Sequence, residues 1–149
     1  MSIDETLKKA RERAQQMGLP YEGALTPGEA QEVLSETPAA KLVDVRTRAE
    51  LDWVGRIPGA VEIELLTYPA NRPNPDFVTQ LEREVQKDSP VLFICRSGGR
   101  SHNAAMLAQQ AGYAECYNVL EGFEGDKDAT GHRSTKGGWR HAGLPWTQS

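Results

Sequence analysis

The sequence is poor in cysteine and contains no long apolar run. Its two cysteines, Cys95 and Cys116, are too few for a disulfide framework. No stretch approaches the roughly 18 consecutive apolar residues that cross a membrane, and residues 1–16 contain no apolar segment that could act as a signal peptide. We therefore expect a cytoplasmic protein that makes no membrane contact, in which a cysteine serves either as a reactive thiol or as packing.

An excess of positive charge is also missing. The formal net charge is −4 at pH 7, whereas a nucleic-acid-binding domain is usually basic. We therefore expect no nucleic-acid partner. The 149 residues, of which 38% are hydrophobic and 26% charged, suit one globular domain with its own core.

Apolar runs alternate with helical patterns along the chain. Four short apolar runs predict strands: residues 41–45, 61–63, 90–95 and 116–119. An amphipathic helix is expected to end at Gly18, and a capping box begins another helix at Thr26. Residues 69–75 are proline-rich and predict a loop. Asp76 is expected to cap the helix that follows, and a further helix is expected to begin at Ser101. This alternation predicts a parallel sheet with helices on both faces.

Cys95 ends the most apolar of the predicted strands. It is followed by a glycine-containing loop, Arg96-Ser97-Gly98-Gly99-Arg100-Ser101, that runs into a helix. Ligands of open α/β sheets collect at the carboxyl ends of the strands, and the free N–H groups of such a loop can bind an anion. The helix dipole and the two arginines favour a thiolate over a thiol. These residues predict a reactive thiol at Cys95, whereas Cys116 is predicted to be core packing.

The segment from Cys95 to Ser101 resembles the active-site loop of the rhodanese family of single-domain sulfurtransferases. Four other segments resemble motifs of that family in the same order: Asp44-Val45-Arg46 with Glu50, residues 56–60, residues 118–122 and residues 138–145. The resemblance implies an α/β fold, a rhodanese-like three-layer domain with a central five-stranded parallel sheet. It also implies transfer of sulfane sulfur through a persulfide on Cys95, without a cofactor or a metal.

The resemblance implies a role for each of these residues. Cys95 would be catalytic, and six residues would bind the substrate: Arg96, Ser97, Gly98, Gly99, Arg100 and Ser101. Asp44 and Arg46 would support the loop from beneath, with Arg46 pairing with Glu50. The implied donor is a small anion such as thiosulfate, and the acceptor is a nucleophile: cyanide in an assay, or a thiol or protein in the cell.

Three other functions remain open. Phosphatases of related fold place an arginine after five intervening residues, whereas Arg100 follows Cys95 after four, so phosphatase activity is not favoured. A persulfide carrier would hold sulfur on Cys95 and deliver it to a partner protein. A non-catalytic rhodanese-like binding module would have no need for a thiol in an intact charged loop.

We divide the chain into an N-terminal helical extension, residues 1–20, and a rhodanese-like domain, residues 21–149. An inserted loop at about 123–137 is longer than the family's usual link. It forms either part of the pocket rim, where His132, Arg133 and Lys136 would add positive charge, or a tolerated surface loop. The three tryptophans are predicted to be core anchors: Trp53, Trp139 and Trp146.

Overall fold

The computed structural model describes residues 2–149, which form a parallel sheet between layers of helices. The strands are β1 (Gly23–Leu25), β2 (Lys41–Asp44), β3 (Val61–Glu62), β4 (Leu66–Thr67), β5 (Arg72–Pro73), β6 (Val91–Ile94) and β7 (Cys116–Val119). Five of them make one parallel sheet in the order β1-β7-β6-β2-β3, and β4 pairs with β5 in a separate antiparallel hairpin. The predicted five-stranded parallel α/β fold is confirmed.

Five helices complete the fold. They are α1 (Ile3–Met17), α2 (Pro27–Glu36), α3 (Arg48–Trp53), α4 (Phe77–Glu84) and α5 (Gly99–Gln110). Capping boxes at Thr26 and Thr47 begin α2 and α3. In each, the threonine side chain accepts the backbone N–H of the glutamate three residues later, and that glutamate's carboxylate accepts the backbone N–H of the threonine. Gly18 ends α1 in the left-handed conformation, as the sequence predicts.

The sheet carries a hydrophobic core on each face. Phe77, Leu81 and Ala104 belong to the cluster under α4 and α5, and Leu25, Val33 and Trp139 belong to the other. Strand β6 is buried along its whole length, because it lies in the middle of the sheet and both of its faces are covered.

Helix α1 packs on the edge of the sheet. Ala10 and Ala14 are buried, and the Arg13 guanidinium bonds to the carbonyl oxygen of Ala24 in β1 and to the Glu29 carboxylate of α2. The sequence alone does not decide whether this helix packs on the sheet or makes a partner contact. In the structure it covers β1.

Several local predictions differ from the structure. Helix α5 begins at Gly99, two residues before the predicted start at Ser101, because Gly98 adopts the left-handed conformation that turns the chain into the helix. Asp76 precedes α4, but its side chain makes no capping hydrogen bond. Strand β1 and the β4–β5 hairpin were not predicted. No helix within residues 2–149 is long and apolar enough to span a membrane.

The tryptophan prediction is confirmed in one case and wrong in another. Trp139 is fully buried, whereas Trp53 is 72% exposed and anchors no core. Trp146 is 37% exposed and packs edge-on against Phe123, so it covers the core at the surface. The reason is local: Trp53 is the last residue of a short helix whose buried position is Leu51.

Candidate active site

The Cys95 sulfur lies inside the turn that joins β6 to α5. Cys95 is 1% exposed, and its Sγ accepts the backbone N–H of Gly98 at 3.1 Å. Gly98 has φ of 113°, a conformation that glycine tolerates and that aims its amide at the sulfur. The helix α5 starts at the next residue, so the positive end of its dipole also faces the site.

A hydroxyl and an amide complete the floor of the turn. Ser101 Oγ lies 3.3 Å from Cys95 Sγ and donates to Asn118 Oδ1 at 2.6 Å. The Asn118 side-chain amide then donates to the Gly98 carbonyl oxygen at 3.2 Å, which ties β7 to the loop. Asn118 was not among the residues predicted for the site, although a polar residue within the apolar run 116–119 is a signal for a site role.

Arg100 is neutralised by Glu50. Its two terminal nitrogens bond to the two carboxylate oxygens at 2.6 and 2.9 Å. Burial alone would raise the pKa of Glu50, but hydrogen bonds and charge from Arg100, with further hydrogen bonds from Thr47, hold that pKa at about 2. The predicted Arg46–Glu50 pair is therefore wrong, because Arg100 reaches Glu50 from the loop.

Arg46 instead pairs with Asp44 below the loop. Both side chains are fully buried, with Arg46 Nη2 2.7 Å from Asp44 Oδ2 and 2.9 Å from the Gly55 carbonyl oxygen. The Arg46 guanidinium lies 4.1 Å from the centre of the Phe123 ring. Phe123 in turn donates its N–H to the Cys95 carbonyl oxygen at 2.8 Å. Through Arg46 and Phe123, these contacts connect Asp44 to the backbone of the Cys95 loop.

The remaining loop residues differ in exposure. Arg96 is exposed, and its side chain makes no hydrogen bond or salt bridge with any residue in 2–149. Ser97 is half-buried, and Gly99 is exposed at the first position of α5. With Arg100 paired, Arg96 supplies the free positive charge at the rim of the turn.

The first residues of the segment 123–137 hydrogen-bond to the backbone of the Cys95 loop. Phe123 and Gly125 are buried, and the N–H groups of Glu124 and Gly125 both donate to the Arg96 carbonyl oxygen. Further on, Asp128 accepts hydrogen bonds from Thr135, His132 and Thr130, which lower its pKa. The prediction of a surface loop therefore holds only for the distal part.

Beside the loop lies a cavity of about 520 Å³. Arg96 and Arg100 of the Cys95 loop form one side, α3 forms a second, and residues 66–71 of the β4–β5 hairpin form a third. None of the residues 123–137 lines this cavity, so its rim is formed by the hairpin and not by the inserted loop predicted at 123–137. A second cavity, of about 730 Å³, borders β3 and contains no residue of the Cys95 loop.

In the part of the chain that the structure describes, neither the second cysteine nor a histidine hydrogen-bonds to the Cys95 sulfur. Burial raises the pKa of the Cys116 thiol to about 12, with a smaller contribution from Glu22, so this thiol stays protonated near neutral pH. His102 Nδ1 lies 2.7 Å from the Tyr21 hydroxyl, outside the turn. Within the described residues, no cluster of three histidine, cysteine, aspartate or glutamate side chains could hold a metal ion.

Known proteins share this arrangement of elements. A model of the rhodanese-like domain matches residues 26–129. The crystal structure of Rv0390 from M. tuberculosis superposes with a TM-score of 0.81 at 44% identity, covering 87% of this chain and 99% of that one.

Sequence relatives extend the comparison. An uncharacterized protein of Rickettsia conorii is 33% identical over 120 residues, which cover 78% of this chain and 90% of that protein. A protein of Allochromatium vinosum named sulfurtransferase is 34% identical over 90 residues, which cover 60% of this chain and 74% of the relative.

Proposed function

The chain belongs to the rhodanese-like domain family, and we propose that it is a sulfurtransferase that carries sulfane sulfur as a persulfide on Cys95. The donor is a small anion such as thiosulfate, and cyanide serves as the acceptor in an assay. The sulfurtransferase name of the Allochromatium vinosum relative supports this class of reaction. No cofactor or metal enters the proposal, and a reducing cytoplasm would keep Cys95 available as a thiol.

One observation carries the proposal: at the start of α5, Cys95 Sγ accepts the Gly98 N–H, 3.1 Å away. This donor and the positive end of the helix dipole stabilise negative charge on sulfur, first in the thiolate and then in the persulfide. Arg96 is the free cation that an anionic donor would meet first.

The reaction has two displacement steps. The Cys95 thiolate attacks the outer sulfur of thiosulfate, the S–S bond of the donor breaks, and sulfite leaves with the electron pair. The acceptor then attacks the outer sulfur of the persulfide, and the electron pair of the second S–S bond returns to Sγ. Cyanide becomes thiocyanate, and Cys95 is again a thiolate.

A persulfide carrier is the second candidate, and the 1% exposure of Cys95 favours it. A buried sulfur is shielded from free acceptors and would be released best when a partner docks. The carrier would form the persulfide but transfer it slowly to cyanide.

The test combines thiocyanate formation with intact mass. Wild-type protein and two variants, Cys95→Ser and Cys116→Ser, receive thiosulfate, and their masses are recorded before cyanide is added. We expect one added sulfur and turnover in the wild type and in Cys116→Ser, and neither in Cys95→Ser. A persulfide without turnover would indicate the carrier. Full turnover in Cys95→Ser would refute both.

A further inference from the structure

Two aromatic side chains are exposed beside the Cys95 loop without a structural reason. Trp53 is 72% exposed and Tyr68 is 60% exposed, and their rings meet edge to face with centroids 6.4 Å apart. They lie on different elements, α3 and the connection of the β4–β5 hairpin, and both line the 520 Å³ cavity. We call this cavity the aromatic cleft.

Exposed aromatic surface of this kind is typical of a binding site. Apolar area left in water is unfavourable, so adjacent exposed rings in a concavity indicate a ligand that covers them. Val54, Leu66 and Pro69 add further apolar lining to the cleft. The organic part of a ligand would therefore be bound on this side.

The charge of the cleft selects for an anion. Of its two arginines, Arg100 is held by both oxygens of Glu50, whereas the side chain of Arg96 makes no hydrogen bond or salt bridge within residues 2–149. A carboxylate bound in the cleft would pair with Arg96, the residue that follows Cys95 in the chain. The cleft thus joins apolar walls to one free guanidinium.

The size of the cleft exceeds what inorganic substrates require. Sites for organic small molecules occupy roughly 300–1,000 Å³, and the volume of about 520 Å³ lies within that range. Thiosulfate and cyanide would each leave most of it empty. A compact organic molecule fills it better.

We propose that the aromatic cleft binds the acceptor, an organic thiol that bears a carboxylate, during the second step of the reaction. This assignment rests on the proposed function. The thiolate of the acceptor attacks the outer sulfur of the Cys95 persulfide. The S–S bond to Sγ breaks, its electron pair leaves on Sγ, and the products are an organic persulfide and the Cys95 thiolate.

Binding is tested apart from chemistry with S-methylglutathione, a carboxylate-bearing thioether that cannot accept sulfur. Calorimetry on the full chain should show saturable binding, weakened about tenfold in Trp53→Ala and in Tyr68→Ala, since each loses a ring from the wall. Arg96→Gln should weaken it by a similar factor. Leu107→Ala, which removes an exposed apolar side chain on α5, is the matched control and should bind like the wild type.

Transfer is tested on protein already loaded with one sulfur. Glutathione, 2-mercaptoethanol and cyanide are compared as acceptors by the decay of the persulfide mass. Trp53→Ala should raise the half-saturating concentration of glutathione about tenfold, and its loss in rate with glutathione should exceed its loss with cyanide by at least fivefold. For each acceptor, the rate of the variant is divided by the rate of the wild type. Differences in intrinsic reactivity among the nucleophiles cancel in that ratio.

The outcomes distinguish a failure of the cleft assignment from a failure of the proposed sulfurtransferase function. Binding of S-methylglutathione in the absence of any sulfur transfer would refute the proposed function and keep the cleft as a ligand site. Sulfur transfer with no binding of S-methylglutathione, or equal losses for all acceptors in Trp53→Ala, would overturn the cleft assignment. In that case a protein segment would be the remaining occupant of the aromatic surface.

Discussion

At the scale of single residues, surroundings rather than residue type distinguish the two thiols. Cys95 and Cys116 are both buried. Cys95 Sγ accepts a backbone N–H from the helix start, whereas Cys116 Sγ lies 3.6 Å from the Tyr113 carbonyl oxygen and can only donate to it. Donors stabilise a sulfur anion and acceptors oppose it. The same contrast follows from the sequence, which places glycine and arginine after only one of the cysteines.

Ser101 provides a prediction at this scale. Its hydroxyl is the hydrogen-bond donor to Asn118 Oδ1 at 2.6 Å, and both side chains are buried. Ser101→Ala removes that donor, so the buried Asn118 Oδ1 loses its hydrogen bond from the Ser101 hydroxyl. We expect the free energy of unfolding, measured by urea denaturation, to fall by about 1–3 kcal/mol.

Ser97→Ala is the matched control, since Ser97 lies in the same loop but its side chain makes no hydrogen bond within residues 2–149. Its effect should stay within about 0.5 kcal/mol. Equal stabilities of the two variants would show that the contact of Ser101 with Asn118 contributes nothing.

At the scale of elements, the chain that follows β7 passes directly under the Cys95 loop. Gly122 lies where the two segments cross, with φ of 65°. A Cβ at Gly122 would come within 2.5 Å of the Arg96 carbonyl and 2.6 Å of the Cys95 carbonyl oxygen. These are backbone atoms, so the loop itself would have to move.

Gly122→Ala is therefore expected to displace the Cys95 loop. We expect a loss of stability of roughly 2–5 kcal/mol from left-handed strain and steric overlap together, with thiocyanate formation reduced at least tenfold. Gly59→Ala is the control: Gly59 has φ of +81°, but an added Cβ would meet no atom within 4 Å. It should cost only about 1 kcal/mol and keep its activity. Normal activity in Gly122→Ala would contradict the close packing.

Sequence patterns predicted those elements whose signals are local. The apolar run before Cys95 and the capping box at Thr26 need only a few neighbouring residues to be recognised. Strand β1 has three residues, all buried, so it carries no alternation that marks a strand. The β4–β5 hairpin lies partly within a proline-rich segment that reads as a loop.

Partner choice among charged residues could not be predicted in the same way. Arg46 and Glu50 are near in sequence, yet Glu50 pairs with Arg100, which lies 50 residues away. Only the assembled sheet brings α3 and the start of α5 together. The aromatic cleft has the same origin, because Trp53 and Tyr68 meet through the placement of the hairpin.

At the scale of the whole molecule, strand order concentrates the site. Strand β6 lies between β2 and β7, so the residues after Ile94 are flanked by Asp44 on one neighbour and Asn118 on the other. The ion pair of Glu50 and Arg100 then joins α3 to α5 across the end of the sheet. This pair links the stability of the fold to pH.

The sign of that link follows from the carboxyl group. The pKa of Glu50 falls from an ordinary 4.5 to about 2 in the folded protein. Its contribution to stability is therefore complete above the unfolded value and is lost as pH falls toward 2, because only the unfolded chain takes up the proton in between. The two side chains are each 19% exposed, so with solvent screening we expect about 1 kcal/mol.

Urea denaturation of the wild type and Glu50→Gln between pH 7 and pH 3 measures this contribution. The wild type should be the more stable of the two by a constant margin above about pH 5.5, and the margin should narrow at lower pH. Arg100→Gln removes the same pair from the other side, so its deficit should also shrink on acidification as Glu50 becomes protonated. A margin that stays constant down to pH 3 would mean that Arg100 does not hold Glu50 ionised, and the site's charge would then have to be assigned anew, with Arg100 free to meet the sulfur donor beside Arg96.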